Sequence, residues 1–325
     1  MHYDIGGITP GDIEIVCAFD IDVRKVDRPL AEAALAKPNC AKLFFKDLSC
    51  FSEKVLMGPL IDGFSSLMEA YPEEERFVPA PLEPVDVGRV LEEKGVEVLI
   101  SYLPVGADQA TRYYAEQCLK AGVSLLNCIP SFIVSDPAWY HRFDQAGIPI
   151  VGDDVKSQVG ATIVHRVLTS LFLERGADIK RTYQLNVGGN TDFLNMLDRT
   201  RLKFKKTSKT EAVLSVMGGE TEPKNVHIGP SDYVPWQKDN KVCFLRIEAE
   251  GFIGAPIELE MRLSVEDSPN SGGVVIDAIR FLKLARERGL SGPLYPACAY
   301  FMKHPPVQMD EKSAREKLEI FLRGS

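Results

Sequence analysis

The sequence predicts an α/β protein with a parallel sheet, because apolar strands and helical segments alternate along its first half. Strands at 96–104, 123–130 and 148–154 are each followed by a segment with helical periodicity. Short turns join these segments, as in βαβ units, whose parallel strands form an open sheet. The length of 325 residues and the 45% hydrophobic content suit a globular chain with room for two domains.

The helices of this series are predicted at 107–122, 136–147 and 161–176. The first ends in Gly122, which suits a C-cap because glycine adopts left-handed backbone angles without strain. By contrast, residues 52–89 are rich in proline and acidic side chains and predict a surface excursion.

The second half of the chain has a different sequence pattern, which predicts a β-rich domain. Residues 241–252 and 257–267 alternate apolar and polar side chains on either side of a short turn, which is typical of an antiparallel pair. Residues 270–289 then predict a helix with a glycine stop. We therefore divide the chain into residues 1–154 with the parallel sheet, residues 155–267 with the β-rich domain, and residues 268–325, which return to the first domain.

Charge and cysteine content exclude several classes of protein. The net charge of -8 argues against a general surface for nucleic acid or anionic membrane, since no positive field attracts phosphates. The seven cysteines are odd in number, lack a CxxC pair and fall partly in apolar runs, so we expect buried thiols in a reducing compartment. No signal peptide or membrane-spanning run is visible. These features predict a soluble, cytoplasmic protein.

Polar or tight-turn residues follow several predicted strands. Residues 12–22 (DIEIVCAFDID) predict a buried strand that ends in the acid Asp20. Ligands of open α/β sheets bind beyond the carboxyl ends of the strands, so these positions predict a binding site. The other residues at such ends are Leu103, Pro104, Val105, Gly106, Asn127, Asp153 and Asp154.

Two further segments could bind an anion. In residues 152–162 (GDDVKSQVGAT), Lys156, Ser157 and the start of the next helix could hold a phosphate, although an ordinary N-cap explains the same pattern. Lys205 and Lys209 would share one face of a helix, which favours an anion between them. A solvated lysine-rich face is the competing interpretation. Asn190 and Asp267 could likewise be no more than turn or capping residues.

Together these motifs resemble one family. The segments AFDID, SYLPVGA, VGDDVKSQVGAT, QLNVGGNTDFLNML, KKTSKTEAV, VHIGPSDYVPW, DSPNSGGVVIDAIR and PACAYFMKHPP resemble, in order and spacing, those of myo-inositol-1-phosphate synthases of the compact bacterial branch. The resemblance covers nearly the whole chain from about residue 12. It implies a Rossmann-like parallel-sheet domain with an inserted α+β catalytic and oligomerisation domain, and a homotetramer.

The resemblance also implies a reaction. D-glucose 6-phosphate becomes 1D-myo-inositol 3-phosphate with tightly held NAD, which takes a hydride from C5. The resulting ketone is enolised, the enolate closes on the C1 aldehyde, and the hydride returns. The net change is redox-neutral, so the implied enzyme is an isomerase. A divalent cation is used by some members of the family, but the sequence has no ligand cluster for one.

The functional residues of the family match positions of this sequence one by one. Lys205, Lys209, Lys241 and Lys303 match its active-site lysines, which are suited to the negative charge that develops on substrate oxygens. Asp267 matches an acid that partners one lysine, Asn190 the asparagine of the glycine turn, and Asp20 the acid that binds the adenine ribose. The implied cofactor contacts are Asp20, Leu103, Pro104, Val105, Gly106, Asn127, Asp153, Asp154 and Ser157. The implied phosphate contacts are Lys156, Ser157 and Lys209.

One part of the family pattern is missing from this sequence. A strand and a glycine-rich loop precede Asp20 in the family, and the first eleven residues (MHYDIGGITPG) contain neither. We therefore expect Met1 to be an internal methionine of a longer chain. Two other hypotheses stay open: a catalytically silent homologue that binds sugar phosphate or pairs with a complete subunit, and a simple NAD-dependent dehydrogenase. Retention of the four lysines and Asp267 favours the isomerase.

Overall fold

A computed structural model describes residues 2–45, 47–202, 210–217 and 222–324. It confirms the α/β class, with parallel ladders in the first half and a four-stranded sheet in the second. The strands are Ala18–Asp20 (β1), Val55–Met57 (β2), Val98–Ser101 (β3), Ser124–Asn127 (β4), Pro149–Ile150 (β5), Asp178–Gly188 (β6), Val226–Tyr233 (β7), Asn240–Glu250 (β8), Pro256–Glu266 (β9) and Gly292–Pro293 (β10).

Helices connect these strands and flank the sheets. The α-helices are Leu30–Ala33 (α1), Val87–Glu93 (α2), Asp108–Ala121 (α3), Pro137–Gln145 (α4), Ala161–Glu174 (α5), Thr191–Asn195 (α6), Asp267–Glu287 (α7), Tyr295–Phe301 (α8) and Glu311–Arg323 (α9), and residues 210–214 are also helical. Gly122 caps α3 in the left-handed conformation, as predicted. Within the described ranges, no helix combines the length and the apolar character that crossing a membrane requires.

The parallel half consists of short ladders. β1 pairs with β2, β3 with β4, and β5 with β10, all in parallel, and a bridge from Leu126 to Val151 joins β4 to the residue after β5. Helices α3 and α7 pack against these strands and form the largest core, in which Leu125, Ile150 and Phe281 are fully buried. The carboxyl ends of β3 and β4 therefore lie side by side, as the βαβ pattern predicts.

Two expectations for the N-terminal region are wrong. The strand predicted over 12–22 forms a ladder only at Ala18–Asp20, and residues 13–17 lie outside any ladder. The excursion predicted over 52–89 contributes Val55–Met57, which pairs with β1. A strand of three residues is too short for its alternation to be recognised, and the prolines around it hide it.

The second half is built on one continuous sheet of order β7-β6-β8-β9. β6 runs parallel to β7 and antiparallel to β8, and β8 and β9 form the predicted antiparallel pair. Helix α5 covers the apolar face, where Ile179, Leu245 and Ile247 are buried. Helix α7 begins at Asp267, directly after β9, three residues earlier than predicted. This junction brings the end of the sheet back to the parallel half.

Candidate active site

A pocket of about 470 Å³ lies where the carboxyl ends of the parallel strands meet the four-stranded sheet. We call it the strand-end pocket. Its sheet wall consists of Gln184, Asn186, Asn190, Lys241 and Asp267, and its loop wall of Asp154, Ser157 and Lys303. The predicted site residues that line it are Leu103, Pro104, Val105, Asp154, Ser157, Asn190, Lys241, Asp267 and Lys303.

Lys241 and Asp267 form an ion pair on the sheet wall. Lys241 is the second residue of β8, whose register places it opposite Val265, and Asp267 is the first residue of α7. Their side chains are 19% and 25% exposed, and both residues line the pocket. A carboxylate at a helix N-terminus is also favoured by the helix dipole. The structure thus brings together the lysine and the acid that the resemblance pairs.

Lys303 and Asp154 form a second ion pair on the loop wall. The ammonium of Lys303 donates to Asp154 Oδ1 at 2.8 Å and to the carbonyl oxygen of Val155 at 2.6 Å. The backbone N–H of Lys303 donates to the carbonyl oxygen of Asp154 at 2.7 Å. Asp154 has φ of 62°, a left-handed conformation that is uncommon for non-glycine residues and costs energy, and strained residues of this kind cluster at active sites.

Asp153 and Asn127 are organised differently from the prediction. The Asp153 carboxylate is fully buried and accepts hydrogen bonds from Asn127 Nδ2 at 2.7 Å, from Ser135 Oγ at 2.8 Å and from backbone N–H groups of residues 133–135. Burial raises its pKa to about 6, against the effect of these donors. Neither side chain reaches the strand-end pocket. Both hold the loop after β4 in place, and their contact with a cofactor stays a prediction.

The phosphate contact predicted for Lys156 does not agree with its position either. Its ammonium is buried and donates to the carbonyl oxygen of Ala299 at 2.9 Å and to Glu311 Oε1 at 3.0 Å. Arg166 donates to the same carboxylate oxygen at 2.8 Å. Burial lowers the pKa of Lys156 to about 8. This lysine belongs to an interior ion cluster, and we do not include it in the proposed site.

Ser157 occupies the position expected of an anion contact. It lines the strand-end pocket together with Gly160, Ala161 and Thr162, the first residues of α5 and its N-cap. Gly160 provides no side-chain cap for the first backbone N–H groups of α5. Gly106, in contrast, does not line the pocket. A Cβ there would lie 2.7 Å from Arg201 Cβ, so this glycine permits close packing.

Asn190 joins the glycine turn to the rest of the sheet wall. Its Oδ1 accepts the N–H of Phe193 at 3.2 Å and thereby caps α6, and its Nδ2 donates to Asp239 Oδ1 at 3.1 Å. The preceding Gly189 packs against backbone, since a Cβ would lie 2.3 Å from the carbonyl oxygen of Val234. Asn190 is therefore a helix cap, which is one of the two roles considered for it in the sequence analysis. One amide N–H of Asn190 remains for the pocket.

A larger cavity of about 1290 Å³ adjoins the strand-end pocket between β1 and β3. Asp20, at the carboxyl end of β1, lines it, and Asn190 lines both spaces. Asp20 Oδ1 accepts the N–H groups of Ile21 at 2.7 Å and Asp22 at 2.9 Å. These two bonds orient the carboxylate, and Lys25 Nζ lies 3.5 Å from its Oδ2. The role of Asp20 as the ribose-binding acid stays a prediction.

Sequence reasoning missed a buried polar chain that includes two residues of the sheet wall. Gln184 and Asn186 alternate on β6, and Gln184 Nε2 donates to Asn186 Oδ1 at 3.2 Å. His165 of α5 lies 3.4 Å from Gln184 Oε1 and 2.8 Å from Thr182 Oγ1. Burial lowers the pKa of His165 to about 4, which keeps the imidazole neutral. The available signal was the two amide side chains at inward-facing positions of an otherwise apolar strand, because buried polar groups need hydrogen-bond partners.

Two predicted residues, Lys205 and Lys209, lie outside the described residues. Among the residues that the structure does describe, no cluster of His, Cys, Asp or Glu side chains could hold a metal ion.

Comparisons with known proteins find relatives over nearly the whole chain. A family model described as myo-inositol-1-phosphate synthase matches residues 160–268. The chain is 49% identical to an inositol-3-phosphate synthase of Corynebacterium glutamicum, over 99% of the chain and 88% of that protein. It is 48% identical to one of Mycolicibacterium smegmatis, over 100% of the chain and 89% of that protein.

Solved structures show the same fold. A protein named Ari2 has a TM-score of 0.74 at 33% identity and covers 99% of this chain and 88% of its own. A myo-inositol-1-phosphate synthase-related protein of Thermotoga maritima has a TM-score of 0.78 at 25% identity, over 96% of this chain and 87% of its own.

Proposed function

The chain belongs to the myo-inositol-1-phosphate synthase family, and we propose that it is an isomerase that converts D-glucose 6-phosphate into 1D-myo-inositol 3-phosphate. The observation that carries this proposal is that two lysine–aspartate pairs, Lys241–Asp267 and Lys303–Asp154, line one pocket. Cations held in this way are suited to negative charge that develops on substrate oxygens. The assembly that we propose is a homotetramer.

The cofactor that we propose is NAD, bound in the large cavity. Asp20 fits its adenine ribose, because a carboxylate at the carboxyl end of a parallel strand accepts hydrogen bonds from ribose hydroxyls. Two N–H groups hold Asp20 Oδ1, and the ammonium of Lys25, which also lines the cavity, lies 3.5 Å from Oδ2. Leu103 and Pro104 line both spaces and would lie along the cofactor. When bound, NAD supplies the hydride exchange of a redox-neutral isomerisation.

Lys241 and Lys303 would stabilise charge on the substrate. We assign Lys241 to an alkoxide or phosphate oxygen, with Asp267 orienting its ammonium, and Lys303 to the opposite side of the sugar. The enclosed position of both ammonium groups strengthens their effect, since water screens them less than at an open surface. Lys205 near the reacting oxygen and Lys209 near the phosphate complete the proposed set, and both assignments rest on the resemblance alone.

The phosphate would bind at the start of α5. Ser157, Ala161 and Thr162 line the strand-end pocket, and the N–H groups at the start of α5, with the positive end of the helix dipole, would attract an anion. This arrangement leaves the lysines to the reacting end of the sugar. Asn190, at the junction of the two spaces, would contact both substrate and cofactor.

Incubation of the purified chain with D-glucose 6-phosphate and NAD tests the proposal. We expect an inositol phosphate, detected by ³¹P NMR, with no net accumulation of NADH. Stoichiometric NADH would instead indicate a simple dehydrogenase. Binding of glucose 6-phosphate without product, observed by calorimetry, would indicate the silent homologue. The homotetramer is tested separately by light scattering.

A further inference from the structure

Asp239 is a buried carboxylate at the junction of three parts of the sheet wall. It lies directly before β8 and is 2% exposed. Its Oδ1 accepts Asn190 Nδ2 at 3.1 Å and Ser268 Oγ at 2.8 Å, and its Oδ2 accepts the backbone N–H of Ser268 at 2.9 Å. The carbonyl oxygen of Asp239 accepts the N–H of Asp267 at 3.0 Å.

These bonds connect residues that come from distant parts of the sequence. Asn190 belongs to the glycine turn before α6, Ser268 to the first turn of α7, and Lys241 follows Asp239 by two residues. Two successive backbone N–H groups, those of Asp267 and Ser268, both donate to Asp239. A charged acceptor binds such donors more strongly than a neutral one. The position of the Lys241–Asp267 pair relative to Asn190 is therefore fixed through one residue, by the carboxylate and the backbone carbonyl oxygen of Asp239.

We propose that Asp239 is a positioning residue of the isomerase, which holds Asn190 and the Lys241–Asp267 pair in the arrangement needed for turnover. The inference rests on the proposed function, and it assigns no contact between Asp239 and substrate. A displacement of about 1 Å in a catalytic group can cost about 10²-fold in rate. Loss of this carboxylate would permit such a displacement, because the glycine turn and the start of α7 would no longer share an acceptor.

Helix capping alone is the competing explanation, and the chain contains a matched case of it. At the start of α9, the backbone N–H and the hydroxyl of Ser313 donate to the two carboxylate oxygens of Asp310, at 2.9 Å and 2.6 Å. This is the same pair of bonds that Ser268 makes with Asp239, without a third donor from the active site. Asp310 and Ser313 therefore report what capping by itself contributes.

The test compares Asp239→Asn and Ser268→Ala with Asp310→Asn and Ser313→Ala in the full chain. An amide at residue 239 presents an N–H group to at least one of the three donors. We expect kcat to fall about tenfold to 100-fold in Asp239→Asn and a few-fold in Ser268→Ala, with KM for glucose 6-phosphate within about threefold of wild type. The two α9 variants should lower the midpoint of thermal unfolding only.

Equal kcat losses in the two sets, or a folded Asp239→Asn with the wild-type kcat, would overturn the proposal. If Asp239→Asn does not fold, Ser268→Ala decides: a kcat loss of at least about threefold supports the proposal, and an unchanged kcat refutes it. NMR of the Lys241 side-chain methylene next to the ammonium provides a readout without turnover. If the wild type makes no inositol phosphate, the proposed function fails, while a shifted Lys241 signal in Ser268→Ala still supports the positioning role.

Discussion

The two walls of the strand-end pocket each hold one lysine and one aspartate, but they hold them by different means. On the sheet wall, Lys241 lies in a strand of eleven residues that is paired on both sides. On the loop wall, Lys303 and Asp154 lie in irregular backbone, fixed by individual bonds between residues 153–155 and 302–304. Lys303 has two acceptors, Asp154 and the Val155 carbonyl oxygen, and Lys241 has Asp267.

The two lysine–aspartate pairs therefore have different roles. The ladder keeps the backbone of Lys241 in place, so its ammonium and the Asp267 carboxylate are available to the substrate. Lys303 also stabilises the loop that carries it, because its cation neutralises Asp154, which is 4% exposed. We therefore expect substitutions on the sheet wall to affect activity and substitutions on the loop wall to affect stability as well.

The largest expected effect follows replacement of Lys241 by a side chain of similar length. Lys241→Met should lower kcat by about 10²- to 10³-fold, the usual cost of removing one preorganised group that stabilises transition-state charge. The free energy of unfolding should fall by less than about 1 kcal/mol, because water can hydrate the quarter-exposed Asp267. Steady-state kinetics and urea unfolding measure the two quantities.

Lys180→Met is the matched control for that experiment, since Lys180 forms ion pairs at the exposed surface of the same sheet. It should leave kcat unchanged. A Lys241→Met variant that lost stability rather than activity would remove the distinction between the two walls.

The next effect concerns the stability of the loop wall. Lys303→Met takes the cation from the buried Asp154 carboxylate, and such a change costs about 3–5 kcal/mol. Adding Asp154→Asn should recover part of this stability, because the buried charge is then gone, whereas activity should stay low. Urea unfolding of the single and double variants measures the recovery. If the double variant were no more stable than Lys303→Met, the pair would not have the structural duty proposed for it.

Acid should weaken the sheet wall through His165. Burial lowers its pKa from 6.5 to about 4, so the unfolded chain takes up a proton below pH 6.5 that the folded chain refuses until about pH 4. The contribution of His165 is therefore present above pH 6.5 and decreases as the pH falls. Between pH 7 and 5 the loss amounts to about 2 kcal/mol.

Urea unfolding of the wild type and of His165→Asn at both pH values isolates this contribution, because every other titrating group is common to the two proteins. The variant should lose about 2 kcal/mol less on acidification. An equal loss in both proteins would mean that the pKa of His165 in the folded protein is close to its ordinary value.

The same contrast explains how much the sequence could predict. Residues 241–252 and 257–267 show their alternation over many positions, so the β8–β9 pair was predicted correctly. The position of Lys156 was not, because its burial depends on Glu311, 155 residues further along the chain. Asp239 had no local signal either, since its acidic side chain in a short polar turn resembles an ordinary surface residue. A ladder can be predicted from the local periodicity of its strands, whereas a single contact between distant residues leaves no such pattern.

The Gly189→Ala substitution tests whether the sheet wall depends on close backbone packing at the glycine turn. In Gly189→Ala the new Cβ would lie 2.3 Å from the carbonyl oxygen of Val234 and 2.5 Å from the N–H nitrogen of Lys238, so the turn must shift. We expect a loss of about 1–3 kcal/mol in the free energy of unfolding.

Gly272→Ala provides a control of opposite sign, because nothing lies within 4 Å of a Cβ there and the residue is inside α7. Alanine in a helix should stabilise it by up to about 1 kcal/mol. Gly189→Ala should also lower kcat, since Asn190 moves with the turn, and a variant that lost stability but kept the wild-type kcat would show that Asn190 serves only as a cap.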